Sequence, residues 1–205
     1  MKPTEGRAGA QLVIISGPSG VGKDTIIEAM QRRTPPHPRH YVVTVTTRER
    51  RHNETDGVSY HFLEMDDYAR LRDSDGLLEA SEVHGNWYGT PRDQVQSALS
   101  AGHDAVLKID VQGARKVNDK VPDALLIFVV PPSLEALQER LVGRSTESEA
   151  DMARRRRDAA YELSRQGDYD HVVVNETNQI ERTAEEIDAI IASEHRKHAA
   201  RRIRV

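Results

Sequence analysis

The feature that most constrains this sequence is a glycine-rich heptapeptide between an apolar run and a helical pattern. The apolar run is Leu12–Ile15, the helical pattern is Ile26–Met30, and the heptapeptide between them is Gly17-Pro18-Ser19-Gly20-Val21-Gly22-Lys23. Glycines let successive backbone N–H groups point at one centre, and the N-terminus of the following helix adds positive dipole. Lys23 adds a mobile ammonium. The pattern therefore predicts a strand, a polyphosphate-binding loop and a helix.

The residue after the lysine departs from the usual form of such loops. Most continue with Ser or Thr, whose hydroxyl binds Mg²⁺, whereas this chain has Asp24 followed by Thr25. A carboxylate is also an acceptable hard ligand for Mg²⁺. Our hypothesis is that Asp24 supports the metal, directly or through water, while Thr25 serves the α-phosphate of the bound nucleotide.

Length and composition exclude several classes of protein. The 205 residues suffice for one α/β domain with an insertion or lid, but not for two independent catalytic domains. The net charge of −4 argues against sequence-independent nucleic-acid binding, although the chain end is locally basic. There are no cysteines, no signal peptide, and no apolar run longer than Ala124–Val130. We expect a cytoplasmic protein without a nucleic-acid or membrane partner.

Strands alternate with helices along most of the chain, which is typical of a parallel sheet covered on both faces. Helices are predicted from Lys23, from Pro91 to Leu99, from Leu134 behind an N-cap at Ser133, from the capping-box sequence Thr146–Glu149, and from Ile180 to Ile191. Buried strands are predicted at Leu12–Ser16, Tyr41–Val45, Asp104–Ile109, Ala124–Val130 and His171–Val174. In such folds ligands bind beyond the carboxyl ends of the strands.

Residues 44–91 interrupt this alternation. Short strands are predicted at Ser59–Phe62 and Leu77–Val83, and His84-Gly85-Asn86 can turn the second one back into Trp87-Tyr88. We therefore predict a single domain over residues 11–195, in which residues 44–91 form a small insertion. The core would comprise residues 11–43, 92–142 and 168–195, and a polar lid residues 143–167. Residues 1–10 read as a disordered leader and 196–205 as a basic tail, with His195 and His198 on an exposed helix end.

Several ordered motifs resemble the guanylate kinase family, and the resemblance runs from Leu12 to about Ile191. Besides the phosphate loop, the motifs are Thr46–Arg51, Asp56–Tyr60, Glu82–Pro91 and Ile109–Ala114. The resemblance implies a three-layer P-loop kinase core with a parallel sheet, a small mixed α+β insertion that binds GMP, and a helical lid. It also implies the reaction ATP + GMP ⇌ ADP + GDP with Mg²⁺, and ATP as the ligand of residues 17–25.

The same resemblance implies which residues hold the acceptor phosphate. Arg48 and Arg51 match the family's clamp on the GMP phosphate, and guanidinium groups suit a dianion because they bind it in bidentate fashion. Tyr60 and Tyr88 match its hydroxyl donors to that phosphate. Asp110 follows a strand beside the phosphate loop. We expect it to line the acceptor site and, together with Asp24, to bind the metal.

Three further positions match the guanine contacts of the family. Glu79 matches the carboxylate that accepts from guanine N1–H and the exocyclic amine, while Thr90 and Thr44 match small hydroxyl residues of that pocket. Adenine would present a lone pair to Glu79 where guanine offers N–H. Such mispairing of a buried polar group costs on the order of 10⁴ in selectivity.

The catalytic cations implied by the resemblance come from the loop, the insertion, the core edge and the lid. They are Lys23, Arg48, Arg140, Arg144 and Arg155, and Asn175 matches a residue near the nucleotide. Phosphoryl transfer develops charge on bridging and equatorial oxygens, so cations that arrive when the lid closes stabilise the transition state and help to exclude water.

Some positions depart from the family pattern, and two other functions stay open. Besides Asp24, Lys108 stands where the family often has an acidic residue, and Arg50 replaces a usual proline. A loop ending in Lys-Asp-Thr also occurs in ribose bisphosphate phosphokinases, so a sugar bisphosphate is one alternative acceptor. The other alternative is a non-catalytic guanylate-kinase-like module that binds a protein. Whether the chain is a monomer or a homo-oligomer is left open.

Overall fold

The computed structural model describes residues 5–83, 85–142 and 149–205. Its strands are β1 (Leu12–Ser16), β2 (Arg39–Tyr41), β3 (Val45–Thr46), β4 (His61–Phe62), β5 (Leu77–Val83), β6 (Asn86–Pro91), β7 (Asp104–Lys108), β8 (Leu125–Val130) and β9 (His171–Val174). Its α-helices are α1 (Lys23–Gln31), α2 (Met65–Asp73), α3 (Arg92–Ala101), α4 (Val111–Lys120), α5 (Leu134–Val142), α6 (Glu149–Ser164) and α7 (Ile180–Lys197).

The main sheet is parallel and five-stranded, in the order β2-β7-β1-β8-β9. Strand β1 lies at its centre, with Val13 opposite Val106 of β7 and Leu125 of β8. All five residues of β1 are buried, as expected for a parallel strand that is covered on both faces. The predicted α/β class is therefore confirmed, and the strand that enters the glycine-rich loop is held in the middle of the sheet.

Helices cover both faces of this sheet and form two aliphatic cores. On one face, side chains of β1 and β7 pack against α3 and α4: Leu12, Ile14, Leu107, Val95, Leu99 and Val117. On the other face, side chains of β1 and β8 pack against α1 and α7: Val13, Ile15, Ile127, Ile26, Met30, Ile187 and Ile191. The predicted cap of α5 is also present, since the Ser133 hydroxyl accepts from Ala136 N at 3.1 Å.

The insertion forms a second sheet of four strands, in the order β4-β3-β6-β5. Strands β5 and β6 form the predicted antiparallel hairpin, whereas β3 and β4 pair in parallel. The single strand predicted over Tyr41–Val45 is wrong, because Arg39–Tyr41 joins the main sheet and Val45–Thr46 joins the second one. Helix α2, which the sequence interpretation does not include, places Tyr68 in a small core.

The structure contradicts the predicted disordered leader, and it packs part of the predicted basic tail against the core. Gly6 N donates to Ile203 O at 2.8 Å, and Arg7 N donates to Leu99 O at 2.9 Å. Ile203 and Val205 are buried in the same core cluster as α3. The prediction of a disordered leader is therefore wrong for residues 5–10, and the basic tail ends in core residues. The apolar residues between the C-terminal arginines give these segments a reason to pack.

His195 is also not on an exposed helix end. It is buried, and its Nε2 lies 2.9 Å from Asp104 Oδ2. The other oxygen of Asp104 accepts from Gln11 N at 3.0 Å, and the His195 ring stacks on His37. His195 thus satisfies a buried carboxylate at the amino end of the main sheet. Among the described residues, no helix combines the length and the apolar character needed to cross a membrane.

Candidate active site

The glycine-rich loop joins β1 to α1 and has the backbone shape that its glycines predict. Gly17, Gly20 and Gly22 have φ angles of 146°, 82° and 102°, which side chains rarely tolerate. A Cβ at Gly17 would lie 2.2 Å from Val129 O, and one at Gly22 would lie 2.6 Å from Asn175 Nδ2. Val129 and Asn175 therefore pack closely against the loop, and only glycine fits at positions 17 and 22.

Lys23 is the first residue of α1 and turns back over the loop. Its Nζ donates to Gly17 O at 2.5 Å and to Pro18 O at 3.1 Å. Burial lowers the pKa of the Lys23 ammonium, and the nearby carboxylates of Glu162 and Asp24 counteract part of this effect. A desolvated cation is thus kept at the loop. Side chains of the next two predicted residues, Asp24 and Thr25, are exposed.

A carboxylate that the sequence interpretation missed also lies at this loop. Glu162 of α6 accepts a hydrogen bond from Ser19 N at 3.2 Å through Oε2. Burial raises the pKa of Glu162, whereas Lys23 and the Ser19 N–H act to lower it. The backbone N–H that Glu162 engages belongs to the predicted phosphate-binding loop. The sequence has no signal for this contact, because the two residues are 143 positions apart.

Two side chains predicted near the nucleotide support the end of the loop. Asn175 Nδ2 donates to Val21 O at 2.8 Å. Arg140 of α5 donates from Nη1 to Val21 O at 3.2 Å and from Nη2 to Asn175 O at 3.1 Å. The structure therefore places Arg140 beside the loop. Arg144 lies outside the described residues, and although Arg155 belongs to α6, its side chain does too.

The predicted acceptor-phosphate residues form an aromatic and cationic cluster. The Arg48 guanidinium lies 5.6 Å from the centroid of the Tyr60 ring, and the Tyr60 and Tyr88 rings are 6.0 Å apart. Arg48 Nη2 also lies 2.7 Å from Glu54 Oε1. Burial acts to lower the pKa of Arg48, but hydrogen bonds with Glu54 and Tyr88 outweigh it and raise that pKa. Arg51 is at the rim, where its side chain is exposed.

The predicted guanine residues meet in a buried polar pocket between β5 and β6. Glu79 lies opposite Thr90 in the sheet register and is 3% exposed. Its Oε1 accepts from the Thr90 hydroxyl at 3.0 Å, and its Oε2 accepts from the Ser81 hydroxyl at 3.0 Å. Burial, helped by the charge of Asp110, raises the pKa of Glu79 to about 7. Thr44 is buried as well.

The N-terminus of α4 closes this pocket on the core side. Asp110 caps the helix, because its Oδ1 accepts from Gln112 N at 2.7 Å and from Gly113 N at 3.1 Å. A Cβ at Gly113 would lie only 3.2 Å from Glu79 Oε2. The glycine therefore makes room for the carboxylate at the helix start. Neither Ser81 nor Gly113 was among the predicted site residues, although Gly113 lies within the Ile109–Ala114 motif.

The comparisons with known proteins show which family this chain belongs to. The family model described as guanylate kinase matches residues 9–194. The chain belongs to the guanylate kinase family. A curated guanylate kinase from Synechococcus sp. (strain JA-3-3Ab) is 42% identical over 182 residues, which are 88% of this chain and 82% of the relative. The crystal structure of guanylate kinase from Anaplasma phagocytophilum matches with a TM-score of 0.76 at 30% identity, covering 97% of this chain and 92% of that one.

The carboxylates available for a metal in this guanylate kinase fold are few. Among the described residues, no three His, Asp or Glu side chains are grouped as a metal site. The two predicted ligands are Asp110, which caps α4, and Asp24, whose Oδ1 contacts Lys108 Nζ. Such a donor set fits Mg²⁺ that takes most of its ligands from nucleotide phosphates and water, with one or two carboxylates from the protein.

Proposed function

We propose that this chain transfers the γ-phosphoryl group of ATP to GMP and releases ADP and GDP. The observation that carries the proposal is Glu79, a buried carboxylate in the acceptor pocket with Thr90 and Ser81 as its hydroxyl partners. Guanine offers N1–H and an exocyclic amine on one edge, and an ionised carboxylate can accept both. Adenine has a lone pair at the equivalent ring position, so it would leave the buried carboxylate mispaired.

On the donor side, we assign ATP to residues 17–25. The backbone N–H groups of the loop bind the phosphates, and Lys23 supplies a cation that burial has already desolvated. Arg140 stands next to the loop through its bonds to Val21 and Asn175. We assign Arg144 and Arg155 to the lid side of the same phosphates on the family resemblance alone.

On the acceptor side, we assign the GMP phosphate to Arg48, Arg51, Tyr60 and Tyr88. A GMP phosphate oxygen attacks the γ-phosphorus, and the bond from that phosphorus to the β–γ bridging oxygen breaks, with its electron pair passing to ADP. The attacking oxygen is already an anion, so no side chain has to act as a strong base. Catalysis then consists of alignment of the two substrates and neutralisation of their charge.

Mg²⁺ is the proposed cofactor. When bound with ATP, it would neutralise the β- and γ-phosphates, and Asp110 and Asp24 would hold it directly or through water. The contact between Asp24 Oδ1 and Lys108 is compatible with a role through water. We further propose the cytoplasm as the site of action, because both substrates are cytoplasmic metabolites and the chain has no cysteine that needs an oxidising compartment.

A substrate panel tests this function against its two alternatives. ADP release would be measured with GMP, dGMP, AMP, ribose 1,5-bisphosphate or no acceptor. We expect turnover with GMP and dGMP, and a kcat/KM for AMP lower by a factor of about 10⁴. Preference for the ribose bisphosphate would replace the acceptor assignment. Failure to bind either ATP or GMP in calorimetry would instead favour the protein-binding module.

A further inference from the structure

One charged residue of the site has no place in the mechanism above. Lys108 is the last residue of β7, and its register partner on β1 is Ile15. Its Nζ contacts Asp24 Oδ1 on the donor side and lies 5.0 Å from the centroid of the Tyr60 ring on the acceptor side. Its side chain is only 18% exposed. The ammonium thus lies between the loop proposed for ATP and the cluster proposed for the GMP phosphate.

The surroundings of this ammonium are acidic and aromatic. Asp24 is in contact with it, Glu54 is close enough to act on it through its charge, and the Tyr60 ring lies 5.0 Å away. Glu54 is the residue that pairs with Arg48, so Lys108 shares an electrostatic environment with the proposed phosphate clamp. A lysine in this position therefore adds a positive charge beside the residues proposed for the acceptor phosphate.

The present contacts of Lys108 leave it able to bind a phosphate. The Asp24 side chain is 60% exposed, and ion pairs with an exposed partner contribute little because water screens them. The contact with the Tyr60 ring is a weak cation–π interaction. A charge-assisted hydrogen bond to a phosphate dianion is stronger than either contact. An ammonium has three N–H donors, so the lysine can give up the ring contact for a phosphate oxygen and keep its contact with Asp24.

We propose that Lys108 is a phosphate-binding residue for the acceptor, and that Asp24 is the positioning residue that holds it between the two substrates. The inference rests on the proposed function and adds a cation to it, next to Arg48 and Tyr60. It also gives a reason for the two departures from the family pattern to occur together. An acid at the end of the phosphate loop repels a triphosphate, and a lysine at the strand end neutralises that acid.

The two roles can be separated by binding measurements without metal. Titration calorimetry would compare GMP with guanosine, which lacks the phosphate, and with ADP, for the wild type, Lys108→Gln and the double variant Asp24→Asn with Lys108→Gln. Lys108→Arg tests rescue by a second cation. Lys120→Gln is the charge-matched control, because Lys120 lies at the far end of α4 and donates to Leu78 O. Thermal unfolding checks that each variant is folded.

We expect Lys108→Gln to raise the Kd for GMP about tenfold while the Kd for guanosine changes by less than about twofold. The Kd for ADP should rise about threefold, because the negative charge of Asp24 beside the phosphates loses its contact with Lys108, and should return to the wild-type value in the double variant. The loss of GMP affinity should persist in the double variant. Lys108→Arg should recover most of it, and Lys120→Gln should behave as wild type.

Three results would overturn the inference. The first is a GMP Kd unchanged in Lys108→Gln, and the second is an equal loss for guanosine and GMP, which would mean damage to the guanine pocket. The third is the same loss in Lys120→Gln, which would mean an effect of net charge alone. None of these affects the proposed function, which fails instead if the wild-type protein does not bind GMP.

Discussion

The loop between β1 and α1, proposed for ATP, offers backbone N–H groups, whereas the pocket between β5 and β6, proposed for guanine, offers side chains. The loop depends on glycine conformations, with φ angles of 146° at Gly17 and 102° at Gly22. The pocket depends on the buried carboxylate of Glu79 and two hydroxyls. A backbone nest suits any polyphosphate, but a buried carboxylate with fixed partners discriminates between bases. Under the proposed function, general binding of phosphates and specific recognition of the base would lie in different parts of the chain.

The cores behind the two sites differ in the same way. The main sheet is buried in two aliphatic clusters. The insertion has a small core around Val45, Tyr68 and Leu77, and it also buries Thr46 and Ser81. Buried polar groups add little net stability even when they are hydrogen-bonded. The insertion therefore has the smaller apolar core, and some of its buried polar groups belong to the site proposed for guanine.

Glu79→Gln should have the largest effect and should be confined to the acceptor side. The amide would present N–H to one guanine donor, so we expect kcat/KM for GMP to fall by about 10⁴ while KM for ATP stays within about twofold. Steady-state kinetics with each substrate varied in turn measures both. Glu82→Gln is the control, because Glu82 is on the same strand and exposed. An equal loss of ATP affinity would contradict the division between the two sites.

Lys23→Met should lower activity through the proposed ATP site, by less than Glu79→Gln lowers kcat/KM for GMP. Loss of one preorganised cation should lower kcat by about 10³. Because burial lowers the pKa of Lys23, folding disfavours its charged form, so the methionine variant should unfold at or above the wild-type temperature. Calorimetric unfolding measures this, with Lys197→Met at an exposed site as control. A decrease of more than about 4 °C would contradict the view that this cation is kept at a cost in stability.

The pKa of Glu79 near 7 predicts a pH dependence of about tenfold for base recognition. Guanine needs the ionised carboxylate, so guanosine affinity should fall about tenfold between pH 8 and pH 6. Guanosine is the proper probe, because the phosphate of GMP titrates in the same range. Glu79→Gln should bind guanosine weakly with no such dependence. The same slope in that variant would assign the titration to another group.

The pH dependence of stability is opposite to that of binding: as the pH rises, guanosine affinity should increase while the contribution of Glu79 to the free energy of unfolding decreases. The pKa of Glu79 is about 7 in the folded chain against a reference of 4.5, so the folded state binds more protons between these values. The contribution of this group to the free energy of unfolding is therefore present below pH 4.5 and is lost as the pH rises through 7. Chemical denaturation of the wild type and Glu79→Gln across this range would show it.

Glu162→Gln should have the smallest effect, on the donor side. The carboxylate accepts from Ser19 N where the nucleotide phosphates are expected, so it competes with them. Removal of its charge should tighten ADP binding about fivefold in calorimetry without metal. Glu186→Gln, at an exposed position of α7, is the control. Weaker ADP binding in Glu162→Gln would mean that the carboxylate supports the loop instead of competing for it.

The predictions from sequence were accurate where the cause is local. The strand, glycine loop and helix from Leu12 to Gln31 follow from adjacent residues, and so does the cap at Ser133. The hairpin of β5 and β6 likewise follows from two short strands and the turn between them. The order of the motifs along the chain was enough to indicate the guanylate kinase family. Each motif can be identified from adjacent residues, even though different motifs meet only in the folded chain.

The errors arose where a distant partner decides the structure. Residues 5–10 lack any periodic pattern, yet Gly6 bonds to Ile203 at the other end of the chain. The charged neighbours of His195 in the sequence predict an exposed residue, but His195 is buried and paired with the carboxylate of Asp104. The run Tyr41–Val45 has one apolar pattern and is divided between two sheets. In each case local propensity was overridden by contacts that sequence spacing does not encode.

The sequence by itself determined the phosphate loop, the α/β alternation and the family, because these depend on glycine conformations, periodicity and motif order. Only the tertiary structure decided that Glu79 meets Ser81 under the start of α4, that Glu162 reaches the loop, and that Lys108 lies between Asp24 and Tyr60. Burial and electrostatics depend on which surfaces are brought together in three dimensions. The charge that a buried side chain carries is therefore a property of the fold and not of the motif that contains it.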